Sequence, residues 1–269
     1  MSTVTYNATW DECMADMAKP PNEGWRRPQS ISGDAAFTGS ESFEEALGFA
    51  ISGWDEGRDA MNADVDFATA KQAVFKRPDW EYSVAGQRAC IPSYCAGVPN
   101  HMVYMDDTTS RLAMPIVRIY VDAGATYFTT AEAMTRRGAA IVALIDQIER
   151  AGQRVELIAT KHSDTRPAAY DRQEINITVK RADEVLDLDR ISFAMAHPSF
   201  LRRVCFRIME HNYPKDVSGY GGVVNMKNVP SDAMYIPPMY GDKGYGDMDK
   251  AIATVQGHWQ ESAAYTEAA

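Results

Sequence analysis

Three stretches decide the fold: Ile116-Val117-Arg118-Ile119-Tyr120-Val121, the helical pattern from Ala131 to Ala151, and Val155-Glu156-Leu157-Ile158. The first is almost entirely apolar and β-favouring, which predicts a central strand covered on both faces. In the second, Ile141, Leu144, Ile145 and Ile148 fall at helical offsets and give one face to lay against a sheet. Gly152 stands where a left-handed cap would end that helix. The third stretch is another strand. Two strands joined by one helix pair in parallel through a right-handed crossover. The unit from Ile116 to Thr160 therefore predicts an α/β domain: a mostly parallel sheet in three layers, with helices on both faces.

Working toward the C terminus, Ile175-Asn176-Ile177-Thr178-Val179-Lys180 alternates strictly. One wet face predicts an edge strand, open to antiparallel pairing. A helix follows Asp187, and His197-Pro198 restarts or kinks it. Phe200, Leu201, Val204, Cys205 and Ile208 form an apolar stripe, with Arg202, Arg203 and Arg207 opposite. The chain from Tyr213 to Gly246 is rich in Gly, Pro and Tyr, with Met234-Tyr235-Ile236 as its strand candidate. A last helix near Asp247 to Gln260 carries Met248, Ile252, Val255 and Trp259.

Toward the N terminus the signals are shorter. Thr9 and Glu12 have capping-box spacing for a first helix, which Pro20-Pro21 stops. Ser42 and Glu45 repeat that spacing, with Phe43, Ala46, Leu47 and Ala50 as the apolar stripe and Gly53 as the stop. From Trp54 to Ser110 the prolines and glycines imply turn-rich chain. The expected organisation is an irregular N-terminal accessory segment over 1–110 and an α/β core domain over 111–269.

Composition narrows the classes. With 37 acidic against 27 basic residues the formal charge is −10. Such a surface disfavours non-specific binding of nucleic acid or anionic membranes. Asp11, Glu12 and Asp16 near the amino terminus are unlike a secretory signal, and no apolar run is long enough to cross a bilayer. Without secretion the Asn7-Ala8-Thr9 sequon is irrelevant. Cys13, Cys90, Cys95 and Cys205 are too scattered for a disulfide framework. Reduced thiols and a cytoplasmic location are expected.

The loop Asp122-Ala123-Gly124-Ala125-Thr126 ends the first core strand with an aspartate and places a hydroxyl four residues on. This resembles the ion-binding pattern of von Willebrand factor A domains, and the order of elements over about Met114 to Trp259 is similar to that fold. The resemblance implies a Mg or Ca ion held by Asp122 and Thr126. Gly124 stands where the pattern has serine, and Pro237-Pro238 follow Ile236 where a later aspartate is usual, so the core resembles a degenerate von Willebrand factor A-like domain. The alternative is that Asp122 and Thr126 simply turn the loop.

A second resemblance spans most of the chain. Arg137-Gly138-Ala139-Ala140-Ile141 through Val155-Glu156-Leu157, Thr38-Gly39-Ser40-Glu41-Ser42-Phe43 with Gly53-Trp54, and His197-Pro198-Ser199-Phe200-Leu201-Arg202-Arg203 are similar to a family of uncharacterised bacteriophage proteins. That family is defined by a domain of unknown function. The likeness implies a phage origin and the cytoplasm of an infected host, and it supplies no catalytic residues.

Other groupings are weaker. Cys90, Cys95 and His101 lack zinc-knuckle spacing and a fourth ligand. His162, Asp164 and Arg166 lie just past the second parallel strand, where α/β folds place ligands. They read either as an acid–base or phosphate group beside Asp122, or as solvated loop residues. Arg26-Arg27 beside Trp25, and Arg202, Arg203 and Arg207, would touch nucleic acid or, more commonly, form solvated faces paired to acids. Gly219-Tyr220-Gly221-Gly222 lacks the strand and helix that a dinucleotide loop requires. Tyr220, Tyr235, Tyr240 and Tyr245 suit a protein contact surface. No nucleophile elbow or phosphate loop is present.

The leading expectation is a protein-binding or adaptor module without catalytic residues or a required cofactor. Its surface would comprise Asp122, Thr126, His162, Asp164, Arg166, Tyr235 and Tyr240, and its partner would be a host or phage protein rather than nucleic acid or membrane. The alternative is a divalent-metal-dependent hydrolase or nuclease using Asp122, Asp164 and Asp232. A virion structural component is a third reading.

Overall fold

The computed structural model describes residues 3–21, 23, 28–55, 81–86, 88–104, 116–163, 172–212, 220 and 222–262. Its elements in chain order are β1 (Thr3–Thr9), α1 (Trp10–Met17), α2 (Ala35–Thr38), α3 (Phe43–Ser52), β2 (Glu81–Ser83), β3 (Arg88–Ala89), α4 (Ile91–Cys95) and β4 (Met102–Tyr104). There follow β5 (Ile116–Asp122), α5 (Ala131–Arg150), β6 (Arg154–Ser163), β7 (Arg172–Lys180), α6 (Leu188–Ala196), a π-helical segment (Phe200–Cys205), α7 (Phe206–Asn212), β8 (Ala233–Ile236) and α8 (Met248–Gln260).

Local chemistry sets the helix starts. The Thr9–Glu12 capping box opens α1, and Ser42 accepts the Glu45 N–H at the head of α3. Thr130 Oγ1 accepts the Ala133 N–H at the start of α5, and Asp247 caps α8 through the Lys250 N–H. Pro198 explains the break after α6. The residue before a proline is pushed out of the helical region, and His197 sits at φ −81°, ψ 127°.

The main sheet runs β1-β7-β6-β5-β8. β5 pairs in parallel with both β6 and β8, β1 pairs in parallel with β7, and β6 and β7 are antiparallel. The predicted strand–helix–strand unit is thus present at the centre. β7 is antiparallel to β6 as its pattern allowed, but it is an interior strand, because β1 covers its other side. The alternation of Ile175 to Lys180 reports a second face that is half-buried at Asn176 and Thr178, and not a free edge. Residues 81–104 hold a separate antiparallel sheet of order β2-β4-β3, whose strands of two or three residues lie in the stretch expected to be turn-rich without long elements.

The three-layer expectation fails for the described residues. β1 is packed by α1, β6 by α5, β7 by α1 and α6, and β8 by α8. Since α5 also touches both α6 and α8, these helices form one layer on one face. Burial along β5 shows why: Val117, Ile119 and Val121 are buried, whereas Ile116 and Arg118 are exposed and Tyr120 is half-buried. Ile116 and Tyr120 made an alternating strand read as continuously apolar. α5 approaches α6 so closely at Gly138 that an added Cβ would lie 2.5 Å from the Ala196 Cβ. From the stretch 1–110, Trp10, Cys13, Met17, Phe43 and Ala50 join the same core.

Arg202, Arg203 and Arg207 are not a solvated face; all three are buried. Arg203 Nη1 donates to the carbonyls of Ser30 and Ser32, and its Nη2 to Thr38 Oγ1 and the Ser40 carbonyl. Arg202 donates to the carbonyls of Phe37 and Thr129 and lies 3.9 Å over the Phe37 ring. Arg207 lies 4.1 Å over Phe43. Burial lowers the Arg202 pKa to about 10. Buried Glu210 accepts from the Ser30 N–H and hydroxyl and from Tyr220 Oη. The arginines and Glu210 fasten the segment 28–43 to the core, satisfying carbonyls that would otherwise be buried without partners.

Candidate functional site

β5 delivers Asp122 to the carboxyl edge of the sheet, and β6 and β8 bring His162 and Tyr235 to it. Asp122 Oδ1 accepts the Gly124 N–H at 2.8 Å. Asp122 Oδ2 lies 2.9 Å from His162 Nδ1 and 3.3 Å from Tyr235 Oη, which donates to it. Asp122 is 0% and His162 1% exposed. Tyr235 Oη also accepts the Met226 N–H at 2.9 Å. Burial, and then the Asp122 charge, push the Tyr235 hydroxyl pKa up, so it remains a donor at neutral pH. Lys161 is buried beside this group. Burial pulls its pKa down, with Asp122 acting in the opposite sense, and its Nζ reaches the Gly222 carbonyl at 3.4 Å. Arg137 of α5 holds the strand ends, donating to the carbonyls of Asp122 at 3.0 Å and Pro237 at 2.8 Å.

Thr126 has a different task from the one its spacing suggested. Its Oγ1 accepts the Gly241 N–H at 2.9 Å and lies 3.1 Å from Thr129 Oγ1. The Thr126 N–H donates to the Met239 carbonyl, and the Met239 N–H to the Gly124 carbonyl. The Asp242 carboxylate accepts both the N–H and the hydroxyl of Thr130. The loops after β5 and β8 are thereby bonded into one rigid edge. On that edge Tyr127 is 77%, Phe128 60% and Tyr240 52% exposed. The Tyr127 and Phe128 rings meet edge to face at 5.5 Å. Tyr127 and Phe128 were not singled out from the sequence, although two adjacent aromatics between a strand and a helix were a usable signal.

The donor set does not fit a hard cation. Asp122 already accepts from a backbone N–H and a tyrosine hydroxyl and faces an imidazole, whereas Mg or Ca needs several free oxygens. A side chain at position 124 is also precluded, since its Cβ would lie 2.8 Å from Asp122 Oδ1 and 3.2 Å from Val223. Among the described residues no group of three or more His, Cys, Asp or Glu could hold a metal ion. Asp232 sits at the opposite end of the sheet, paired with Arg118 at 3.1 Å. Asp164, Arg166 and the Trp25-Arg26-Arg27 group lie outside the described residues. Cys90 Sγ accepts from Ser93 Oγ, and His101 Nδ1 bonds the Val98 carbonyl.

The sheet face against which no described helix packs carries polar pairs. Arg118 bridges Glu156 and Asp232, and Asn176 Nδ2 donates to Asn7 Oδ1 at 2.9 Å. A groove of about 420 Å³ crosses this face, lined by Asn7, Ala8, Thr9, Glu12, Tyr120, Ile158, Asn176, Thr178 and Met226.

The chain belongs to a family described as a domain of unknown function (DUF7192), whose model matches residues 3–257. No curated protein and no solved structure matches it. Among the described residues no helix is long and apolar enough to cross a membrane.

Proposed function

We propose that this chain is a non-catalytic protein-binding module whose contact surface is the carboxyl edge of the five-stranded sheet. The observation that carries the reading is the exposed group Tyr127, Phe128 and Tyr240, mounted on two loops that bond each other. Aromatic side chains on rigid loops lose little entropy on binding while burying large area, which makes them effective anchors. The sealed Asp122 carboxylate supports binding over catalysis, because its oxygens are already engaged by internal donors.

A degenerate von Willebrand factor A-like core is supported by the strand order, with antiparallel β7 beside β6 and late β8 beside β5. The proposal extends to a phage origin, a host or phage protein as partner and a setting in the host cytoplasm, all resting on the resemblance of Arg137 to Leu157, Thr38 to Trp54 and His197 to Arg203 to bacteriophage proteins. The test is affinity purification of the tagged protein from expressing bacterial cells. One protein recovered in stoichiometric amount, and lost from the Tyr127→Ala/Phe128→Ala variant at unchanged Tm, is the expected result. Recovery that ignores this variant, or recovery of nucleic acid instead, sinks the reading.

A hydrolase reading has one observation in its favour. The 2.9 Å Asp122–His162 contact is the geometry by which a carboxylate orients an imidazole for base work. The ring is 1% exposed, so substrate cannot reach it without rearrangement. A rise in Tm with magnesium, manganese or calcium would revive the metal-dependent form.

A further inference from the structure

We infer that a cavity between α1, α3 and α6 binds a lysine or arginine side chain of a partner protein. The inference rests on the reading of the chain as a protein-binding module, but the cavity shares no residue with the carboxyl-edge surface.

The cavity holds about 340 Å³, and the start of α1, the end of α3 and the start of α6 line it. Trp10, Met14 and Ala50 give it apolar walls, and Ile51 on its lining is 66% exposed. Its charged lining is Asp11, Asp187, Asp189 and Arg190. Arg190 is already committed: its guanidinium lies 3.7 Å from both Glu184 and Asp187 and donates to the Val179 carbonyl. Asp11 is exposed, and no described residue pairs with it. Three carboxylates against one committed guanidinium leave the cavity negative. α3 adds to this independently. Ala50, Ile51 and Ser52 line the cavity, and the last turn of α3 carries no basic side chain. The open carbonyls of a helix C terminus bear the negative end of its dipole, which a cation complements.

The walls and one donor select the source of that cation. Lysine and arginine lay an apolar stem along apolar surface and hold the charge at the rim, and an indole face attracts a cationic head. Trp10 is 5% exposed and lines the cavity, and its indole N–H reaches solvent without an acceptor among the described residues. The main chain on either side of a bound basic residue offers a carbonyl to that N–H. A free polyamine offers no acceptor. The same flanking chain would cover Ile51, which a small amine inside the cavity would leave exposed.

A display library of random dodecapeptides panned against the full chain tests this, with the affinities of enriched peptides read by fluorescence anisotropy. Enriched peptides should share a lysine or arginine, lose about fivefold when norleucine replaces it, and weaken as salt rises. Asp11→Asn and Asp187→Asn should each cost about three- to fivefold in affinity. Asparagine still caps α6 at position 187, and exposed Asp11 reports on binding even if Asp187→Asn folds poorly. The Tyr127→Ala/Phe128→Ala variant should bind the same peptides as the wild type does. Failure to enrich any peptide, enriched peptides without a basic residue, or basic peptides indifferent to both asparagine variants overturn the cavity site. Displacement by spermidine at equal concentration would make the occupant a free polyamine and overturn the protein partner. Peptides that depend on Tyr127 and Phe128 instead would overturn the cavity site while leaving the carboxyl-edge reading intact.

Discussion

The two faces of the five-stranded sheet use the same strands by opposite means. On the helix side Val117, Ile119, Val121, Leu157, Ile177 and Met234 are buried in one apolar cluster. On the other side Arg118 pairs with Glu156 and Asp232, Asn176 with Asn7, and Asp122 with His162 and Tyr235. Burial of apolar area is non-directional and strong, while paired polar groups demand fixed geometry and contribute modest net stability. The first face therefore holds the fold, and the second is left with the directional chemistry that recognition needs.

The largest expected effect strikes the helix side. Ile119→Ala, at a fully buried position of β5, should cost about 2–5 kcal/mol of unfolding free energy. Denaturant titration measures it, and a loss below that range would mean the core repacks more freely than its burial implies.

A second effect separates the two sides by pH. His197 is packed on the helix side against Phe49, Trp54 and Phe193, and its Nδ1 accepts the Ser199 N–H. Burial lowers its pKa from 6.5 to about 4. Between those values the unfolded chain binds more protons than the folded one, so stability falls as pH falls. The contribution is complete above about pH 6.5 and lost on the way down to about pH 4, on the order of 3 kcal/mol. Urea midpoints across that window measure the slope, and His197→Phe should flatten it. An unchanged slope in that variant would move its origin elsewhere.

The smallest effect completes the contrast on the same strand. Ile116 is 52% exposed on the face against which no described helix packs, and Ile116→Ala should change stability by no more than about 0.5 kcal/mol. A cost near that of Ile119→Ala would mean that the polar face is also a packing face.

The contrast between the faces also accounts for what could be read from the residues alone. Local periodicity located α5, the strands on either side and the alternating β7, because these signals are carried by near neighbours. β1 was missed. Thr3 to Thr9 alternates polar residues with Val4, Tyr6 and Ala8, so a strand pattern is present beside the Thr9 capping box, and pairing with β7 places it in the sheet. Arg202, Arg203 and Arg207 read as a wet stripe because their partners, such as the Ser30 carbonyl, lie more than 160 residues away. At the site, Asp122, His162 and Tyr235 were each named, and the structure joins them. Thr126 was named for its hydroxyl, yet that hydroxyl serves the adjoining loop.

The position of β1 has a consequence for the order in which the molecule is assembled. Asn7 meets its partner Asn176 across 169 residues of chain. On a ribosome adding about 5–20 residues each second, the first strand waits roughly ten to thirty seconds before β7 exists to receive it. During that interval it is a strand without its partner. Its β-favouring Thr, Val and Tyr residues, with no charge and no proline, leave it open to pairing with a neighbouring nascent chain. The strand that completes the sheet is thus also the one whose backbone waits longest for its native partner.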